Sequence, residues 1–167
     1  MQHHITSNPK ALRSAASVLL LCGSMAGHAS AADPSRQWIA QGDQEMSSLI
    51  YGTPASDDVL LSLTCDPATK TLTVWYRVEP AYSKDPETLT IDIHSEGGSV
   101  GLIGKGSRSE MDDAYALEVA TELSPSVEKL LSEAATLTML VEDGAAEFPI
   151  DATARKGIEM IKKGCRK

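Results

Sequence analysis

Residues 59–78 read VLLSLTCDPATKTLTVWYRV, a pattern that predicts two strands joined by a turn. Apolar side chains recur at every second position in both halves, which is typical of strands that bury one face. Residues 66–70, DPATK, have turn chemistry, with proline following aspartate. The side chains predicted to face the core are Val59, Leu61, Leu63 and Cys65 in the first strand, then Leu72, Val74, Tyr76 and Val78 in the second.

Further strands are predicted on both sides of this stretch. Leu89, Ile91 and Ile93 alternate with polar residues and are expected to face inward. The glycine-rich segment 97–107 reads as a bent or bulged strand. Residues 136–150 read as a strand, an Asp-Gly turn and a second strand. The other predicted strands lie in 49–54 and 114–123.

Two segments have the spacing of amphipathic helices. In residues 124–135, Ser124 can cap the first turn and Pro125 suits the first helical position. The last helix is predicted to begin after Asp151 and to end in a basic turn, where the helix dipole favours cations. Its predicted core-facing stripe is Ala154, Ile158, Ile161 and Cys165. The fold class is therefore α+β: a mostly antiparallel sheet, sandwich-like or curled into a half-barrel, with two helices packed on it.

The first 31 residues have the features of an export signal. A basic start precedes an apolar run from about residue 15 to 25, which is too short for a permanent membrane span. Residues 29–31, Ala-Ser-Ala, then match the small-x-small pattern of a signal-peptidase site. Cleavage there leaves residues 32–167 as a single domain in the periplasm or outside the cell.

Two other interpretations of the N-terminus are open. It can be a buried helix of the folded domain, or Cys22 can be the lipid-modified residue of a lipoprotein signal. Such a signal usually has Ala or Gly before its Cys, and here Leu21 occupies that position.

Cleavage after residue 31 leaves Cys65 and Cys165 as the remaining thiols. Both are predicted to lie on core-facing surfaces, and the exported compartment is oxidising. A Cys65–Cys165 disulfide is therefore expected to tie the last helix to the sheet, although two unpaired buried thiols are the alternative.

The chain has a net charge of −8 at pH 7. The leader contains Lys10 and Arg13 and no acidic residue, so its removal changes the charge to −10. An acidic surface favours solubility and argues against binding to nucleic acid or anionic membranes.

Asp92, His94 and Glu96 occupy alternate positions, so one strand face would present all three. These are metal-ligand types, but a catalytic zinc site needs three well-oriented ligands, often with more than one histidine. Glu96 also precedes Gly97, where the strand can already have ended. A polar outer face is the preferred interpretation, and no metal or cofactor is assigned.

Other catalytic and ligand signatures are incomplete. Hydrolase chemistry would have to use His94, and no serine lies in a Gly-x-Ser-x-Gly elbow. Residues 101–108, GLIGKGSR, lack the spacing of a phosphate-binding loop. The pairs Asp57–Asp58 and Asp112–Asp113 lack the alternation of a calcium loop.

Trp75 and Arg77 lie together on the face of their strand opposite the predicted core. An exposed Trp-Arg pair is typical of binding interfaces. With two helices available, however, the preferred interpretation is that a helix covers this face and makes Trp75 part of the core.

Tyr51, Gly52, Pro54, Ser56 and Asp57 precede a predicted strand that ends in Cys65, and the last predicted helix contains Cys165. In these features the chain resembles a set of small exported bacterial proteins of unknown function. In that set a Tyr-Gly-x-Pro-x-Ser/Thr-Asp segment precedes a strand ending in Cys, and the chain closes on a helix with a second Cys. The resemblance implies export and a disulfide, and it implies no activity.

The sequence thus favours a small exported, non-enzymatic module that binds a protein or another envelope component. The competing class is a metal-binding protein or hydrolase centred on His94, and a third is a lipid-anchored structural protein.

Mass spectrometry of the exported protein tests the interpretation of the leader. The mature chain is expected to begin at Ala32 or Asp33, because signal peptidase cleaves after the small residues that precede them. A diacylated Cys22 at the N-terminus would contradict this and identify a lipoprotein.

Overall fold

A computed structural model describes residues 35–43, 45–78, 87–110, 114–142 and 144–166. The predicted leader over residues 1–31, with Cys22, lies outside the described residues. The same is true of the Asp112–Asp113 pair and of Asp143 in the predicted Asp-Gly turn.

The described residues form nine strands and two helices. The strands are β1 (Gln37–Gly42), β2 (Ser47–Gly52), β3 (Val59–Asp66), β4 (Thr71–Val78), β5 (Thr88–Ser95), β6 (Gly98–Arg108), β7 (Tyr115–Glu122), β8 (Thr136–Val141) and β9 (Gly144–Pro149). The helices are α1 (Pro125–Glu133) and α2 (Ala152–Cys165).

The strands form one sheet in the order β1-β2-β3-β4-β7-β6-β5-β8-β9, and every neighbouring pair is antiparallel. This confirms the predicted mostly antiparallel sheet. The sequence left a sandwich or a curled half-barrel open, and the single sheet is the half-barrel. Strands outnumber helices, so the α+β label fits loosely.

The curl brings the first and last strands together through aromatic side chains. The indole Nε1 of Trp38 in β1 donates a hydrogen bond of 2.7 Å to the carbonyl oxygen of Pro149 in β9. The Phe148 ring lies 5.2 Å from the Tyr51 ring and 6.2 Å from the Trp38 ring, measured between centroids. Trp38 therefore fills the edge of the core, and β1 is a strand that the sequence pattern did not indicate.

The sheet has an inner face, on which α1 and α2 pack, and an outer face that points away from both helices. The strand residues predicted to face the core are buried on the inner face, except for Val59 and Leu89, which are partly exposed. The α1 residues Val127, Leu130 and Leu131 contact this face over β5 and β6, and α2 packs over β1, β2 and β3. Both helices thus share one core.

The helices begin where the sequence predicts. The Ser124 hydroxyl accepts a hydrogen bond from the Val127 amide, and the Asp151 carboxylate accepts one from the Ala154 amide. In α2, Gly157 allows a close approach to β2, because a Cβ atom there would lie 2.7 Å from the Cδ1 atom of Leu49. The predicted stripe of α2 is buried.

The predicted disulfide between Cys65 in β3 and Cys165 in α2 is present, with Cα atoms 5.8 Å apart. Both residues are buried. The Lys70 ammonium in the β3–β4 turn donates a 2.8 Å hydrogen bond to the Gly164 carbonyl, so this turn also caps the end of α2.

Two details of the predicted strands differ from the structure. The glycine-rich segment is a strand, but β6 pairs with β5 from Gly98 to Lys105 without a shift of register, so that ladder contains no bulge in the described residues. In the β8–β9 hairpin, Val141 pairs with Gly144, so the glycine begins β9.

Removal of the disulfide is expected to lower the free energy of unfolding by about 2–5 kcal/mol. The bond links residues 100 positions apart and therefore restricts the unfolded chain strongly. Urea denaturation of the exported protein, compared with the Cys65→Ala/Cys165→Ala double variant, measures the difference. Reductant should destabilise the wild type and leave the double variant unchanged. Two titratable thiols in the denatured, unreduced protein would contradict the pairing.

Candidate functional site

The outer face places Trp75 in the middle of a row of side chains that crosses the sheet. Strand pairing sets Ser62 and Glu118 on either side of Trp75, with Lys105 next to Glu118. Trp75 is half-buried, and α1 and α2 lie against the opposite face, so neither helix covers it. Trp75 therefore belongs to the outer surface and not to the core shared by the helices.

Arg77 lies two residues beyond Trp75 and belongs to a charged cluster centred on Asp58. Arg36, which precedes β1, donates two hydrogen bonds to the Asp58 carboxylate, from Nε at 3.0 Å and from Nη2 at 3.1 Å. The Thr53 hydroxyl donates a third at 3.0 Å. The Arg77 guanidinium approaches the same carboxylate, with Nη1 3.9 Å from Oδ1.

This cluster joins three strands at one end of the sheet. Arg36 holds the start of β1, Asp58 the start of β3, and Arg77 the end of β4. The hydrogen bonds from Arg36 are the largest cause that holds the pKa of Asp58 below its ordinary value, and the Thr53 hydroxyl lowers the pKa further. Asp58 is consequently ionised over the neutral range and fixes the position of Arg77 beside Trp75.

The β2–β3 loop, residues 53–58, holds Asp58 in place through its own backbone. The Asp58 amide donates to the Ser56 hydroxyl at 3.0 Å, and the Thr53 amide donates to the Asp58 carbonyl at 2.9 Å. A Cβ atom at Gly52 would lie 2.4 Å from that carbonyl oxygen, so the loop requires glycine there. Gly52 and Ser56 of the Tyr-Gly-x-Pro-x-Ser/Thr-Asp segment thus have structural roles.

The three metal-ligand candidates do not share one site. Asp92 and His94 are exposed on the outer face of β5, as predicted. Glu96 lies in the β5–β6 turn, and its carboxylate accepts a 2.7 Å hydrogen bond from the Ala135 amide. This bond is the main cause that lowers the pKa of Glu96. Within the described ranges, no three His, Cys, Asp or Glu side chains form a group that could hold a metal ion.

The described segments that were compared with phosphate-binding and calcium-binding loops lie in an ordinary strand and an ordinary loop. GLIGKGSR lies within β6, as a strand and not as a loop around a phosphate. Asp58 is bound by arginine, and Asp57 is exposed in the same loop. The apolar space under α1 has a volume of about 10 Å³, which is too small for an organic ligand.

The outer face also contains Ile103 of β6, which the sequence analysis did not single out. Its side chain is 75% exposed. Alternation with Leu102, which packs against the core, could have indicated this orientation. No comparable signal existed for the Arg36–Asp58 pair, because nothing in a single sequence relates residues 22 positions apart.

Comparison with models of protein families, with curated proteins and with solved structures finds no match to this chain. Helices α1 and α2, within the part of the chain that the structure describes, are too short to cross a membrane.

Replacement of Asp58 by asparagine is expected to lower the free energy of unfolding by about 1 kcal/mol at neutral pH, the upper end for partly exposed ion pairs. The folded pKa of Asp58 is lowered, so its contribution is present above the ordinary pKa of about 3.9 and is lost as the pH falls through the folded value. Denaturation of Asp58→Asn and wild type from neutral to acidic pH should show the two curves converging in acid.

The neighbouring Asp57→Asn variant is the control, because Asp57 is exposed in the same loop and should change stability by less than about 0.5 kcal/mol. Equal losses in the two variants at neutral pH would contradict a specific role for Asp58.

Proposed function

We propose that this protein is an exported, non-enzymatic binding protein whose outer sheet face contacts a protein or another envelope component. One observation carries the proposal: α1 and α2 both pack on the inner face, while the outer face presents the half-buried Trp75 beside Arg77 and the exposed Ile103. Aromatic residues and arginine are enriched in the energetically important parts of interfaces.

The disulfide supports the exported location, because such bonds persist in oxidising compartments. The leader over residues 1–31, cleaved before Ala32, would deliver the chain there, to the periplasm or the medium. The surface charge of −10 after cleavage favours protein partners over nucleic acid.

The competing proposal, a metal-binding or hydrolytic centre at His94, has less support. His94 is exposed on the outer sheet face beside an open, shallow groove, and its strand neighbours are Ser99 and Thr138. An open face of this kind does not exclude water from a reacting group. Metal analysis of the exported protein, with His94→Ala as the control, separates the two classes: the binding proposal expects no stoichiometric zinc or copper.

Capture from an envelope extract tests the binding proposal. The exported protein is expected to retain at least one specific component, and Trp75→Ala should reduce its recovery by about tenfold, because truncation of a central aromatic anchor typically costs that much affinity. Lys156→Ala, on the exposed side of α2, is the matched control and should retain the component. Thermal melting of each variant confirms that it is folded.

Two outcomes would contradict the proposal: loss of the component from Lys156→Ala but not from Trp75→Ala, and the recovery of no specific component by the wild type.

A further inference from the structure

The strands at one side of the sheet carry acidic charge without basic charge. Residues 87–98 and 134–149 contain six acidic residues and no lysine or arginine. These segments contain β5, β8 and β9, which are adjacent in the sheet; within the strands the acidic residues are Asp92 in β5 and Glu147 in β9. The basic residues of the sheet, such as Arg77 and Lys105, lie on other strands.

The outward side chains of these strands are arranged in two parallel rows. One row contains Gly101, Asp92, Leu140 and Ala145, and the other contains Ser99, His94, Thr138 and Glu147. Asp92 and Glu147 are exposed. Because Gly101 has no side chain, the Asp92 carboxylate has room above β6: a Cβ atom on Gly101 would lie 2.8 Å from Asp92 Oδ1.

An apolar side chain lies near one of these carboxylates, Asp92. Ile103 pairs with Thr90 across the β5–β6 ladder, and on its own strand face it lies between Gly101, which is opposite Asp92, and Lys105, which is opposite Glu118 of β7. It is more exposed than Met46, the other large hydrophobic side chain found exposed among the described residues, at 75% against 50%. Exposed aliphatic side chains among carboxylates suit a partner that offers both apolar and cationic groups.

The surface also has two shallow grooves in which an extended peptide could lie. The β5–β8 ladder contains the three pairs Asp92–Leu140, Ile93–Met139 and His94–Thr138, although both strands continue beyond it. A shallow groove of about 360 Å³ lies at one end of the ladder, beside Asp92, and one of about 390 Å³ lies at the other, beside His94 and Glu147.

We infer that this acidic patch, defined by Asp92, His94, Ile103, Leu140 and Glu147, binds a basic protein segment that places an aliphatic residue on Ile103 and lysine or arginine on the carboxylates. The inference rests on the proposed function, and it names the chemistry of the partner. A small cation would leave Ile103 uncovered, and nucleic acid or an anionic lipid would be repelled by the acidic charge.

Titration of the isotope-labelled exported protein with a short peptide of alternating lysine and leucine tests the inference by NMR. Chemical-shift changes are expected on β5, β6, β8 and β9, and a rise from low to physiological salt should weaken binding by about tenfold. A glutamate–leucine peptide and a lysine–serine peptide should bind much more weakly, because each lacks one of the two required chemistries.

Matched variants distinguish this patch from the general acidity of the protein. Ile103→Ser is expected to weaken binding by about tenfold, and Met46→Ser should have little effect. Asp92→Asn with Glu147→Gln should weaken binding similarly. Glu45→Gln with Glu133→Gln changes the net charge equally at exposed positions outside the patch and should not weaken it.

Shifts scattered over the whole surface, equal losses in the control variants, or the absence of binding would overturn the inference. Without peptide, the wild-type resonances could broaden with increasing protein concentration, and the Asp92→Asn/Glu147→Gln variant could abolish that broadening. This result would show that the patch binds a second copy of the chain, and it would also overturn the inference. An envelope component that is captured through Trp75 but is unaffected by the Asp92 and Glu147 changes would overturn this inference and leave the proposed function standing.

Discussion

The bond between Cys65 and Cys165 joins the last turn of α2 to β3, the third strand from one edge of the sheet. It holds α2 over β1, β2 and β3, while α1 covers β5 and β6, so together they fill the concave inner face. The closed packing there leaves a void of only about 10 Å³ under α1. The position of the helices decides which face of the sheet is available, and the proposed function accordingly uses the outer one.

Curling of the sheet has a second consequence for that surface. An open sheet has two edge strands, and unpaired edges are prone to unwanted pairing with other chains. Here Trp38 of β1 donates its indole hydrogen to the Pro149 carbonyl of β9, so the two edges protect each other at this point. The proposed function accordingly uses side chains on the outer face and not edge-strand backbone.

The sequence predicted those features that depend on local periodicity. Strand alternation in residues 59–78, the Ser124 and Asp151 caps and the buried stripe of α2 are all present, because each follows from neighbours within one or two turns of chain. The disulfide was predictable because the predicted export signal leaves only two cysteines, and both were predicted to face the core. β1 was missed, since QWIAQG has little alternation and Trp38 is buried by contact with β9, far away in sequence.

The candidate site was predicted less completely for the same physical reason. Trp75, Arg77, Asp92 and His94 were placed on the correct face by alternation, whereas the Arg36–Asp58 fork depends on a loop that brings distant residues together. Glu96 shows that alternation does not predict where a strand ends. It has the right spacing to join Asp92 and His94, but the β5–β6 turn begins there and directs its carboxylate to the backbone before β8.

The form of the outer face bears on the choice between binding and catalysis. Catalytic groups act most strongly in a concave site from which water is excluded, because electrostatic interactions are weakened in water. Asp92 and His94 are exposed to solvent on a broad sheet surface, where each contact with a ligand is worth little by itself. Such a surface gains affinity only by many simultaneous contacts around a few apolar or aromatic anchors, which is how one macromolecule recognises another. Under the proposed function, Trp75 and Ile103 are such anchors on two parts of one continuous face, linked through Glu118 and Lys105.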